Sequence, residues 1–357
     1  MHFLLSLCFG AILLFVGAEM LVRGSSRIAQ ALGISRLVIG LTVVAFGTSA
    51  PEAFVSFSAA VMGQGDIAVG NVVGSNIFNI LLILGISAII SSLAVSRKLV
   101  LIDVPVMTGA SLLVMICSLG GRIGRVEGLV LVLLMVVYLG FLWRMSCNER
   151  NVTPGCGKGI QVRAKRRDML LSIFFAAAGL AMLVKGADWF IAGAVDVARS
   201  AGVSELVIGL TLVAAGTSLP ELATSITAAI RGERDIAVGN IVGSNIFNLL
   251  FILGGSALFA RDGLVVSPSV ISFDLPVMLA SSAVCLPVFF TGFRIARWEG
   301  LVFLLLYIAY AAYLLLAASH HDALSTYSIV MALFVIPLIA ITFIVIALRE
   351  MKEKSQR

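Results

Sequence analysis

The sequence predicts an all-α polytopic membrane protein: two inverted five-helix repeats forming a ten-helix core, plus one extra C-terminal transmembrane helix. Three observations carry this. The 357 residues are 60% hydrophobic and only 12% charged, far from the half-apolar, quarter-charged mixture of soluble domains. Residues 37–52, LVIGLTVVAFGTSAPE, return as residues 206–221, LVIGLTLVAAGTSLPE, matching at 13 of 16 positions with an offset of 169. Each copy holds an odd number of spans, so the second must enter the bilayer from the opposite side to the first.

Apolar stretches long enough to cross roughly 30 Å of hydrocarbon, about 20 residues each, run over 3–22, 37–61, 67–91, 99–119, 126–144, 169–190, 204–230, 236–260, 270–292, 298–317 and 325–348, eleven in all. The first lacks the basic flank of a secretory signal, and residues 17–40 align without gaps on 186–209, so it is expected to remain as a helix. The second holds the first duplicated motif. The third holds another, DIAVGNVVGSNIFNILLILG (66–85), which returns as DIAVGNIVGSNIFNLLFILG (235–254) with 17 of 20 identities. The fourth begins with DVPVM (103–107), the fifth with RVEGLV (125–130), and these recur as DLPVM (274–278) and RWEGLV (297–302). The expected organisation is a first repeat over 1–145, a basic loop over 146–168, a second repeat over 169–318, and an extra helix with a basic tail over 319–357.

Lys and Arg decide the orientation. With the N-terminus outside, inner loops and tail hold twenty of the 25 basic residues, outer loops four, and Lys185 stays within a span. The C-terminus is then cytoplasmic, as in a multi-pass protein of a plasma or inner membrane. The net charge of +6 reads as topology, with the bilayer as partner and no nucleic acid. The five cysteines form no CxxC pair, which argues against a disulfide framework or a zinc site.

Chemistry should sit where polar residues interrupt apolar helices. An ionisable residue at membrane depth costs on the order of 3 kcal/mol or more, so Glu52 and its equivalent Glu221 are expected to face a protein interior or a wet cavity. Pro51 should loosen the helix at Gly47, freeing carbonyls that a cation could satisfy. Thr48 and Ser49 share a helix face with Glu52, and Asn71, Ser75 and Asn79, spaced by four, form a second polar stripe. The other half repeats these as Thr217, Ser218, Pro220, Glu221, Asn240, Ser244 and Asn248. Such a set offers only oxygen ligands, which suit hard cations such as Ca2+ and Na+. Two carboxylates neutralise one divalent or two monovalent ions, the simplest chemical basis for exchange. For a single Ser or Asn, helix packing alone is an equally good reading.

Other polar residues read as structural. Glu19 with Arg23, and Lys185 with Asp188, are spaced as local ion pairs. Asp103 and Asp274, each two residues before a proline, are expected to cap helix starts. The His320, His321, Asp322 cluster reads as a solvated turn. An intramembrane enzyme is disfavoured by the lack of a nucleophile, histidine or HExxH near either motif, and an ion channel by the inverted repeat.

The twin GTSxPE and GNxxGSNxxN segments resemble the alpha-repeats of the sodium/calcium exchanger family, in the calcium/cation antiporter superfamily. The resemblance spans both motif regions and the ten-helix core, leaving the eleventh helix outside. It implies that Glu52 and Glu221 are the central ion-binding carboxylates, that Thr48, Ser49, Thr217 and Ser218 add hydroxyl oxygens, and that the carbonyls of Ala45 and Ala214 complete outer positions. Ser75, Asn79, Ser244 and Asn248 match the remaining ligand positions. It also implies alternating access by sliding of the first and sixth helices, and a secondary antiporter that exchanges Ca2+ for Na+ without a cofactor. Some sodium-coupled members resembling this chain carry aspartate where Asn248 stands. With one ionisable group fewer, H+ is the alternative coupling ion, since desolvation of a carboxylate favours its neutral form.

Overall fold

A computed structural model describes residues 2–152, 166–202, 208, 214–319 and 323–331. Eight helices in it are apolar and long enough to span a membrane, and a ninth span is a bent pair. In chain order they are α1 (His2–Leu32), the pair α2 (Arg36–Thr48) and α3 (Ala50–Val61), α4 (Gly65–Ile90), α5 (Leu99–Ser118), α6 (Arg125–Val152) and α7 (Arg166–Ser200). After a turn α8 (Ala214–Gly216) come α9 (Leu219–Ile230), α10 (Arg234–Phe259), α11 (Val270–Phe290), α12 (Arg297–Ala318) and α13 (Ala323–Val330). Nine of the eleven expected spans are thus observed. Most of the stretch before residue 214 and most of the eleventh helix, with His320, His321 and Asp322, fall outside the described residues.

α1 and α7 lie against each other along most of their length. Gly10, Gly17 and Gly24 on one, and Gly179, Gly186 and Gly193 on the other, leave no room for a Cβ against the facing backbone. Gly10 meets Gly186 and Phe190, while Gly24 meets Ser172 and Ala176, so the two helices run antiparallel. Glycine at every seventh position brings the backbones close over several turns, where dispersion and packing hold helices together in lipid.

The core between these elements is shared by the two halves. Gly85 of α4 packs on Gly300 of α12, and Gly254 of α10 packs on Gly128 of α6. Two-residue strands at the loop ends pair likewise: β1 (Leu93–Ala94) with β4 (Arg294–Ile295), and β2 (Arg122–Ile123) with β3 (Leu264–Val265), both antiparallel. α10 is the most enclosed helix, flanked by α2, α6 and α9. Each half therefore completes its packing on the other, and neither has a separate core.

Several helices carry wide, π-type turns, at Gly40–Val44, Phe78–Leu84, Leu99–Asp103, Asn248–Ile252 and Val270–Asp274. The last two and their counterparts fall at matched positions of the duplicated sequence. The turn at Leu99–Asp103 corrects the capping expectation: Asp103 and Asp274 sit inside continuous helix and make no cap bond. Instead Tyr138 Oη donates to Asp103 Oδ1 at 2.9 Å, and Tyr310 Oη to Asp274 Oδ1 at 2.7 Å. The π turn carries the helix past the aspartate, which removes the free N–H groups that a cap would bind.

Candidate functional site

The span formed by α2 and α3 bends by 49°. The break lies at Ser49, not at Gly47 as the proline alone suggested: Ser49 has φ −81° and ψ 8°. Ser218, ahead of α9, repeats it with φ −90° and ψ 7°. Pro51 and Pro220 then occupy the first turn of the following segment, where a missing N–H does no harm. Glu52 and Glu221 fall in that same turn, where the free N–H groups of a helix start favour negative charge.

Each break presents its serine to the opposite half. Ser49 Oγ donates to Glu221 Oε1 at 2.9 Å, and Ser218 Oγ donates to Glu52 Oε1 at 2.8 Å. Both glutamates are fully buried.

A second ring of amides braces the threonines. Thr48 Oγ1 donates to Asn240 Oδ1 at 3.1 Å, and Asn240 Nδ2 donates to Ser225 Oγ at 3.0 Å. In the other half, Thr217 Oγ1 donates to Asn71 Oδ1 at 3.4 Å and Asn71 Nδ2 to Ser56 Oγ at 2.9 Å. Asn71 and Asn240 therefore act as supports within the polar stripes, with Ser56 and Ser225 behind them.

What remains after this bonding is a matched set of oxygen atoms. Glu52 Oε2, Ser75 Oγ and Asn79 Oδ1 from one half, and Glu221 Oε2, Ser244 Oγ and Asn248 Oδ1 from the other, are buried and have no hydrogen-bond partner among the described residues. A buried unpaired polar atom ordinarily costs about 1–3 kcal/mol, more when charged. Six of them fall at equivalent positions of the two halves, three beside each glutamate motif. The segment with Asn79 packs on α9, which carries Glu221, and the segment with Asn248 packs on α3, which carries Glu52.

The duplicated motifs therefore bring together Glu52, Glu221, Ser49, Ser218, Thr48, Thr217, Ser75, Ser244, Asn79 and Asn248. The Ala45 carbonyl already accepts the Ser49 N–H at 3.0 Å. Ala214 opens the short turn α8. Besides Ser56 and Ser225, four residues were not singled out from the sequence: Asn76 and Asn245, which bond to Asn248 and Asn79, and Met107 and Met278 behind them. Their signal was present, since both asparagines stand in the repeated GSN triplet and both methionines end the repeated DxPVM.

The family pattern described as sodium/calcium exchanger protein matches residues 2–144 and 171–316. The chain belongs to this family. A sodium/calcium exchanger of Methanosarcina acetivorans, MaX1, is 34% identical over 339 residues, covering 86% of this chain and 96% of the relative. The inner membrane protein YrbG of Escherichia coli is 38% identical over 278 residues, covering 77% and 85%. Among solved structures, one of the sodium-calcium exchanger NCX_Mj superposes with a TM-score of 0.75 at 34% identity, covering 88% of this chain and 99% of that one. This member of the sodium/calcium exchanger family is a multi-pass membrane transporter and not an enzyme.

Proposed function

We propose that this exchanger moves Ca2+ in one direction against Na+ in the other, through the oxygen set around Glu52 and Glu221. The observation that carries the reading is the six buried oxygens without partners, three from each half. Two carboxylates with hydroxyl and amide oxygens fit a hard cation. Their two negative charges balance one Ca2+ or two Na+, so the loads compete for one site. The antiparallel course of α1 and α7, helices at equivalent places in the duplicated sequence, supports an inverted repeat. The charge bias supports an outer N-terminus and an inner C-terminus.

The test is transport by the purified full chain in liposomes. Ca2+ is expected to accumulate against an outward-directed Na+ gradient, and Glu52→Gln or Glu221→Gln to abolish it. Asn248, an amide where some sodium-coupled members resembling this chain carry aspartate, is the observation that favours a second reading, Ca2+/H+ exchange. Uptake driven by a pH gradient alone would establish that reading, and no Ca2+ movement under either gradient would end both.

A further inference from the structure

An amide side chain has an acceptor end and a donor end, and only the acceptor end can serve a cation. Asn79 and Asn248 both leave Oδ1 unpartnered and commit Nδ2 elsewhere. Asn79 Nδ2 donates to Asn245 Oδ1 at 3.0 Å, and Asn248 Nδ2 donates to Asn76 Oδ1 at 3.2 Å. The orientation of each would be arbitrary if its partner could also turn over.

The partners cannot turn over. Asn245 Nδ2 donates to the backbone carbonyl of Asn76 at 3.4 Å and meets Met107 Sδ at 3.7 Å. Asn76 Nδ2 donates to the backbone carbonyl of Asn245 at 3.4 Å and meets Met278 Sδ at 3.9 Å. A carbonyl oxygen and a thioether sulfur only accept. Nδ2 of Asn76 and Asn245 must face them, so Oδ1 of each must face the other way, toward Asn248 and Asn79. Those residues must then donate, which leaves their own Oδ1 free. The polarity thus runs in sequence from a backbone atom to the ion site, twice, each relay crossing from one half to the other and back.

We propose that Asn76 and Asn245 are positioning residues for ion exchange: without touching the ion, they fix the oxygen end of Asn248 and Asn79 toward it. All four asparagines are buried, so a turned amide would put an N–H donor where the cation needs a lone pair. The same logic accounts for the repeated DxPVM segments, whose methionines supply an acceptor that never donates. The proposal rests on the ion-site reading above in taking Asn79 and Asn248 as ion-facing.

A double-mutant cycle separates positioning from packing. An aspartate in place of Asn248 offers oxygen from both ends, so its rotation no longer matters. The Ca2+ concentration for half-maximal uptake and the maximal rate are measured for the full chain in liposomes, together with Ca2+ binding in detergent. Asn76→Leu, which keeps bulk and removes the acceptor, is expected to raise the half-saturating Ca2+ roughly 10- to 100-fold, the usual effect of losing a partner that orients a ligand. The maximal rate should change far less. In the Asn248→Asp background the same Asn76→Leu change is expected to be neutral or favourable.

Equal shifts of half-saturation in both backgrounds would overturn the proposal, because lost packing does not depend on which atom stands at position 248. Should Asn76→Leu fail to fold, Asn245→Leu with and without Asn79→Asp repeats the cycle in the other half. Additive shifts with normal uptake by the unsubstituted chain would overturn positioning alone. An unsubstituted chain that binds no Ca2+ would remove the ion site, and the positioning role with it.

Discussion

The two ends of the oxygen-lined site differ far more than its two halves do. At one end Thr48 and Asn240 are fully buried and 3.1 Å apart; at the other Thr217 and Asn71 are half-buried and 3.4 Å apart. The sealed end is also where charged residues tie α1 to the core. Glu19 pairs with Arg23 and with Arg231, whose Nε lies at 2.8 Å. Glu233 accepts from Ser26 at 3.1 Å and from Arg36 at 2.6 Å. Positions equivalent to Arg231 and Glu233 in the other half are Met62 and Gln64, which cannot form ion pairs. Asp188, the equivalent of Glu19, has only the exposed Lys185 at 3.6 Å among the described residues. Accordingly α1 packs along α9, whereas the corresponding α7 and α3 are not among the packed helix pairs. The oxygen-bearing side chains are duplicated in this molecule and the ion pairs that close one end are not.

The largest effects test the symmetric side of this comparison. If the two halves contribute equal chemistry, Glu52→Gln and Glu221→Gln should each reduce Ca2+ uptake to background. Each also strips a serine hydroxyl of its charged acceptor in the opposite half. A variant retaining substantial uptake with only one of the two replaced would show that one carboxylate suffices, and the symmetry would then be structural only.

Sequence reasoning reached the symmetric part because duplication marks it. Glu52, Glu221 and the hydroxyls before them follow from one motif read twice, and their common face follows from helical spacing. Asn76 escaped because it lies one residue off the stripe of Asn71, Ser75 and Asn79, facing the other half, and only the packed fold reveals what it meets. The break at Ser49 was misplaced by two residues because proline predicts which hydrogen bond is lost, not where the chain relieves it. Capping at Asp103 and Asp274 failed because a π turn before the proline keeps the helix continuous. The tie between Glu19 and Arg231 joins residues far apart in sequence, with no counterpart to mark it.

An intermediate effect tests the asymmetric side. Arg231→Met should weaken the hold of α9 on α1 at the sealed end while leaving every oxygen of the site in place. Exposed or half-exposed ion pairs are worth about 0–1 kcal/mol, so an equilibrium between sealed and opened forms should move by up to about fivefold. The measurement is the labelling rate of Val44→Cys, a fully buried position one turn below Thr48, in a background without the five native cysteines. Faster labelling in Arg231→Met is expected. An unchanged rate would mean that apolar packing of α1 on α9 closes this end, and that the ion pairs are incidental.

The smallest effect compares the two tyrosine–aspartate pairs, which share chemistry but not burial. Asp103 is fully buried, its Oδ2 has no partner among the described residues, and its Oδ1 accepts from Tyr138. Asp274 is only half-buried and accepts from Tyr310 in the same way. Tyr138→Phe should therefore destabilise the protein by about 1–3 kcal/mol, the cost of leaving a buried polar group unpaired. Tyr310→Phe should cost roughly half of that or less. Thermal unfolding in detergent reads both, and transport by the folded fraction should be unaffected because neither pair belongs to the oxygen set. Equal losses of stability would mean that the ring contacts of the two tyrosines, and not their hydroxyls, hold α6 and α12 in place.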